Sequence, residues 1–119
     1  MDALTSFLPA AREFNPDIVA VSAGFDAHQY DLLLDLRLSA NTYFSVGRIL
    51  RDNFGAVFAT LEGGYNVEMF PRCCSNFLDG INGKERQYTE SATDSKIQVY
   101  QEYEVRKALA MQRLSNHWK

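Results

Sequence analysis

The feature that most restricts this chain is a pair of unbroken apolar runs with a helical stretch between them. The first is Ile18-Val19-Ala20-Val21-Ser22 and the second is Ala56-Val57-Phe58-Ala59-Thr60-Leu61. Neither alternates polar with apolar residues, so each reads as a strand buried on both faces, as in a parallel sheet. Between them, Ser39 or Asn41 is placed to cap a helix running to about Asn53, with Tyr43, Val46, Gly47 and Leu50 on one face. Gly55 stands just past its end, where a left-handed residue is often needed. Strand, loop, helix, strand is a βαβ unit, which makes the two strands parallel.

The flanking segments supply helices and no further strands. Leu4, Phe7, Leu8, Ala11 and Phe14 fall at helical spacing. Pro9 predicts a kink or a late start, and Asn15-Pro16-Asp17 a stop. The stretch from His28 to Leu38 mixes leucines with aspartates without a period and reads as a loop. A helix from about Val67 to Leu78 follows the second strand, closed by Gly80 and Gly83. A polar stretch through Asp94 leads to a final helix, Lys96 to about Leu114. Two interior strands are too few for a sheet of this kind. The sequence therefore reads as part of a larger domain, or as one that completes its sheet with a second copy of itself.

Composition narrows the function classes. With 119 residues and a net charge of −3, the chain gives no electrostatic reason to expect nucleic acid or an anionic membrane as partner. Its longest apolar stretches are only a strand long, and no basic region followed by an apolar core opens it, so neither a membrane span nor a signal peptide is expected. Cys73 and Cys74 are adjacent and lack metal-knuckle spacing; they read as reduced thiols near the start of a helix, at least one packed inside. A reducing, cytoplasmic setting is the matching expectation.

In open parallel sheets, ligands bind at the carboxyl ends of the strands. The first strand delivers Asp26 and His28 to that edge, and the second delivers Glu62, Gly63, Gly64 and Tyr65. Each has a plainer reading. Asp26 serves equally as a cap for the next element, and Tyr65 as a core tyrosine with a bonded hydroxyl. His28 reads as solvent-exposed or supporting rather than as a ligand, and Asp31 and Asp35 as solvated loop charges. Gly63-Gly64 is too short for a phosphate loop, although it permits close approach of backbone to a substrate.

Together these residues carry a resemblance. The run from Pro16 to His28, containing Val21-Ser22-Ala23-Gly24-Phe25-Asp26-Ala27-His28, followed by Leu61-Glu62-Gly63-Gly64-Tyr65-Asn66, is similar to the histone deacetylase family. Acetoin-utilisation proteins and acetylpolyamine amidohydrolases are relatives in that group. The resemblance covers roughly residues 3 to 82. It implies an α/β fold, the C-terminal βαβ portion of a parallel-sheet, three-layer arginase/deacetylase fold with helices on both faces. Residues 1–83 would be the C-terminal segment of that domain, and 84–119 a polar stretch and closing helix of the same domain. The ending Ser115-Asn116-His117-Trp118 resembles a natural C-terminus of the family.

The resemblance also implies roles. Asp26 matches an aspartate that binds catalytic zinc, and Tyr65 the tyrosine whose hydroxyl bonds the substrate carbonyl and then the oxyanion. Gly63 and Gly64 match glycines lining the tunnel for the acyl chain, and Leu33 a residue of the tunnel wall. The commoner family form puts glycine before the aspartate of that loop and proline after it; Tyr30 and Leu32 flank Asp31 here. The implied substrate is an acetylated lysine or an acetylated small amine. The family's other zinc ligands, in an Asp-x-Asp-x-His motif, and its histidine pair are absent, since His28 and His117 are the only histidines. The expectation is a deacetylase fragment, inactive alone and completed by a missing N-terminal portion. The alternative is a non-enzymatic, self-associating subdomain derived from that fold.

Overall fold

The computed structural model describes residues 1–115 and His117; the Ser115-Asn116-His117-Trp118 ending lies partly outside the described residues. The elements run α1 (Asp2–Glu13), β1 (Val19–Ala23), α2 (Ala40–Asn53), β2 (Val57–Leu61), α3 (Met69–Ile81) and α4 (Ile97–Leu114). They fall into two compact units, Pro16–Thr93 and Met1–Asn15 with Asp94–Lys119.

In the unit Pro16–Thr93, β1 and β2 pair in parallel, with Val19 beside Val57 and Ala23 beside Leu61. The runs read from sequence therefore form strands displaced by about one residue. The core gathers Phe25, Ala40, Tyr43, Leu50, Cys73 and Phe77, with Val19, Val21, Ala23 and Val57 of the sheet packed against it. Burial on both faces is not observed. Along β1, Val19, Val21 and Ala23 are part-buried while Ala20 and Ser22 are exposed, and along β2 only Val57 is part-buried. The side chains of a strand alternate between two faces, and α2 and α3 supply the core for one of them.

Two glycines set how closely α2 and α3 approach. A Cβ on Gly47 would strike the Phe77 carbonyl and come within 2.9 Å of the Ile81 nitrogen. One on Gly80 would strike the Phe44 carbonyl and lie 3.0 Å from the Arg48 nitrogen. Gly80, read as a helix terminator, thus lies inside α3 as a contact residue. Termination falls to Gly83, whose φ of +69° is left-handed. Both cysteines are free; Cys73 is buried and Cys74 half-buried. Burial pushes the Cys73 thiol up to about 12.

The other unit holds α1 and α4. Neither helix contains a fully buried residue. The Asp2 carboxylate accepts from Lys107 Nζ and from the Tyr103 hydroxyl, each at 2.6 Å. The hydrogen bond from Lys107, then that from Tyr103, holds this carboxyl below its ordinary value. Pro9 does not delay α1, which begins at Asp2 and carries the proline inside it. The ring removes only its own N–H, leaving one carbonyl of the preceding turn without its helical partner. The stop at Asn15 is as read: φ is +52°, and proline follows. No helix among the described residues is long and apolar enough to cross a membrane.

Candidate active site

The carboxyl ends of β1 and β2 continue their pairing into the loops beyond. The Glu62 amide donates to the Ala23 carbonyl at 3.1 Å, and the Phe25 amide to the Gly63 carbonyl at 2.8 Å. Phe25 is buried among Tyr43, Phe70 and Phe77, with ring centroids 5.1, 5.6 and 6.1 Å away. The Tyr43 hydroxyl donates to the Phe25 carbonyl at 3.2 Å, inside the core. Burial raises the Tyr43 hydroxyl well above its ordinary value, so it remains a donor. Asp26, the next residue, is thus hung from an aromatic socket.

Asp26 and Tyr65 converge on Gly63. A Cβ on Gly63 would strike Asp26 Oδ2, would lie 3.0 Å from Asp26 Cγ, and would lie 3.4 Å from the Tyr65 hydroxyl. Glycine is required because the two functional groups occupy the space a side chain would take. Gly64 is constrained from the other side. Its φ is +141°, and a Cβ there would lie 2.8 Å from the Phe70 ring and 3.1 Å from Phe25 Cβ. The result is a carboxylate and a phenol facing one point. Tyr65 keeps 48% of its surface exposed, so it is not a core tyrosine. Leu33 sits on the loop after β1, 67% exposed.

That loop is pinned at both ends. His28 is 1% exposed, which rules out the solvent-exposed reading. Its Nδ1 accepts from the Tyr30 amide at 3.2 Å, which leaves Nε2 to donate to Glu90 at 2.9 Å. Glu90 also accepts the Ala40 amide at the start of α2. Asp31 is not a merely solvated charge either. Its Oδ1 accepts from the Leu33 amide at 2.9 Å, and its Oδ2 from the Tyr65 amide at 2.8 Å. Burial acts to raise this carboxyl, but hydrogen bonds from the Tyr65, Leu33, Leu34 and Asn66 backbones outweigh it and hold the group below its ordinary value.

Residues 1–81 match the model of the histone deacetylase domain. The chain belongs to this family. Its relatives include a probable deacetylase of Methanothermobacter thermautotrophicus, 33% identical over 98 residues, covering 82% of this chain and 30% of that protein. The chloroplastic histone deacetylase 14 of Arabidopsis thaliana is 35% identical over 101 residues, covering 80% of this chain and 23% of its own length. The structure of the histone deacetylase Clr3 superposes with a TM-score of 0.75 at 26% identity, over 99% of this chain and 20% of Clr3. The acetylpolyamine aminohydrolase of Burkholderia pseudomallei gives 0.55 at 26% identity, over 68% of this chain and 22% of that enzyme. The chain thus spans under a third of these relatives' lengths and corresponds to part of a deacetylase domain.

Members of the histone deacetylase family are typically zinc-dependent, and catalytic zinc sites use three protein ligands. Among the described residues no three histidine, cysteine, aspartate or glutamate side chains converge. Asp26 alone therefore does not make a zinc site. What the arrangement offers is one carboxylate and one hydroxyl donor beside a common point. The ties from Asp31 to Tyr65 and from His28 to Glu90 leave no signal in the local sequence. In the first the partner is a main-chain amide; in the second it is a glutamate 62 positions away, in the polar stretch before the final helix.

Proposed function

We propose that this chain is the part of a zinc-dependent deacetylase that supplies one metal ligand and the oxyanion donor. The substrate class is an acetylated lysine or an acetylated small amine. The observation that carries the reading is the convergence of the Asp26 carboxylate and the Tyr65 hydroxyl on Gly63, at the carboxyl edge of a parallel sheet. In the assembled enzyme Asp26 contributes one zinc ligand, and the remaining ligands and the acid/base histidines come from outside these 119 residues. Tyr65 donates its hydroxyl proton in a hydrogen bond to the substrate carbonyl oxygen and holds it more strongly as negative charge develops there. Gly63 and Gly64 line the channel for the acyl chain, Gly63 leaving room for Asp26 and Tyr65 and Gly64 for the Phe25 and Phe70 core beneath, and Leu33 lines the approach. The free thiols fit a reducing, cytoplasmic compartment.

These residues alone are inactive on this reading. The test is co-expression with the segment that precedes the matched region in longer relatives, followed by zinc analysis and a deacetylation assay. Activity that falls about 100-fold or more in Tyr65→Phe supports the oxyanion role; an unchanged rate removes it. Stoichiometric zinc and chelator-sensitive amide hydrolysis by the 119-residue protein itself would overturn the claim of incompleteness.

A second reading, a self-associating subdomain without enzymatic role, is favoured by the sheet. Phe58, 52% exposed on one face of β2, and Leu61, 63% exposed on the opposite face, flank an unpaired strand edge. Light scattering separates the two: a monomer at high concentration argues against assembly through that surface.

A further inference from the structure

We infer that Asp31 is a positioning residue that fixes the Tyr65 hydroxyl beside Asp26, by clamping the loop after β1 to the loop after β2. The inference rests on the deacetylase reading for its functional meaning, but the clamp itself is a property of this chain. Tyr65 follows two glycines, and glycine imposes little backbone preference of its own. The first point past them where the chain is held by a side chain is the Tyr65 amide, and its partner is Asp31 Oδ2 at 2.8 Å. The other oxygen of the same carboxylate holds the Leu33 amide at 2.9 Å and the Leu34 amide at 3.4 Å. One planar group therefore joins both loops.

The neighbouring residues repeat the tie in the opposite sense. Asn66 Nδ2 donates to the Tyr30 carbonyl at 2.7 Å. Asn66 Oδ1 accepts from the Glu68 and Met69 amides at 3.1 and 3.0 Å, which anchors the crossing to the start of α3. Tyr30-Asp31 and Tyr65-Asn66 thus form two hydrogen-bonded rungs between the loops. The clamp needs both oxygens of a carboxylate as acceptors. An asparagine at position 31 has one acceptor oxygen, and its NH₂ would face an N–H whichever way it is turned. Glycine flexibility and a lost amide anchor then let the phenol swing away from Gly63. In a reaction that depends on placement, a shift of about 1 Å lowers turnover by as much as about a hundredfold.

The test begins with the 119-residue protein in solution, by NMR. The wild type should show a nuclear Overhauser contact between the Gly63 Hα and the Tyr65 ring, because the hydroxyl lies 3.4 Å from the position of a Gly63 Cβ. In Asp31→Asn and Asp31→Ala this contact should disappear while those between the Phe25 and Phe77 rings persist. Persistence of the Gly63–Tyr65 contact in both variants overturns the inference. So does joint loss of the core contacts in both, which would make Asp31 a determinant of the whole fold. In the co-expressed enzyme, Asp31→Asn should lower kcat by about ten- to a hundredfold with KM within about twofold. Tyr65→Phe is measured beside it. If Tyr65→Phe is damaging and Asp31→Asn is harmless, the clamp fails and the deacetylase reading stands. If Tyr65→Phe is harmless, the reading fails and the NMR result decides the clamp alone.

Discussion

On one face of the two-stranded sheet, Val19, Val21, Ala23 and Val57 pack against the cluster built from Phe25, Tyr43, Leu50, Cys73 and Phe77. On the other, Ala20, Ser22, Phe58 and Thr60 are exposed. The strands are the same and the residues are similarly small or apolar, yet only the first face has a layer, which covers β1 and Val57 and leaves Ala59 and Leu61 exposed. An uninterrupted apolar strand encodes two burial events, and α2 and α3 account for one. The second face is the physical counterpart of a chain that spans under a third of its relatives.

The comparison can be broken most directly from the covered side. Phe25→Ala should cost about 3–5 kcal/mol, since it empties the socket between Tyr43, Phe70 and Phe77. Urea denaturation checks this; a loss below about 1 kcal/mol would mean the covered face does not carry stability. Gly80→Ala comes next, at about 1–3 kcal/mol, because the added methyl meets the backbone of α2.

A third test uses pH. The Cys73 thiol has an ordinary value of 9.0 and is raised by burial to about 12. Above pH 9 the unfolded chain therefore sheds a proton that the folded chain retains. The stability this group contributes is whole below about pH 9 and is lost as pH rises toward about 12. The loss is up to about 1.4 kcal/mol per pH unit, and Tyr43, also raised, adds in the same direction at still higher pH. Urea midpoints at pH 8 and 11 should differ, and by less in Cys73→Ala. The smallest effect belongs to the open face. Phe58→Ala should change the stability of this chain by about 1 kcal/mol or less, since the ring is half-exposed already. Repeating it in the co-expressed domain sharpens the contrast: a cost rising toward about 3–5 kcal/mol there would show that the missing segment covers this face.

Much of this was legible from residues alone, for reasons that differ by element. Both strands lie within about a residue of the apolar runs, because such runs bounded by proline or glycine have few other readings. Asp26 and Tyr65 stood out because unusual residue types end both strands. Burial on both faces of the strands is not observed because the pattern reports what a strand is built for, whatever layers surround it. Gly80 reads as a terminator because a glycine near a helix end usually is one, whereas its contact with Phe44 and Arg48 depends on a second helix. For His28 the supporting reading holds and the solvent-exposed one does not, because burial of its ring depends on Glu90 and no local pattern announces a partner at that range.

Residues Tyr88 to Glu90 carry a last consequence. The side-chain amide of Asn76 bonds both the N–H and the carbonyl of Tyr88, at 3.1 and 2.9 Å, and Asn41 does the same for Glu90, at 3.1 and 2.6 Å. Each asparagine stands in for a neighbouring strand, and the two anchor points are spaced by one residue. This stretch has no regular secondary structure, yet its length is fixed as strictly as a strand's. An insertion or deletion between Tyr88 and Glu90 would satisfy one anchor only by abandoning the other: losing the Glu90 anchor would uncover His28 and the start of α2, and losing the Tyr88 anchor would strand the buried amide of Asn76. Length variation among related proteins should therefore collect on either side of this triplet and spare it.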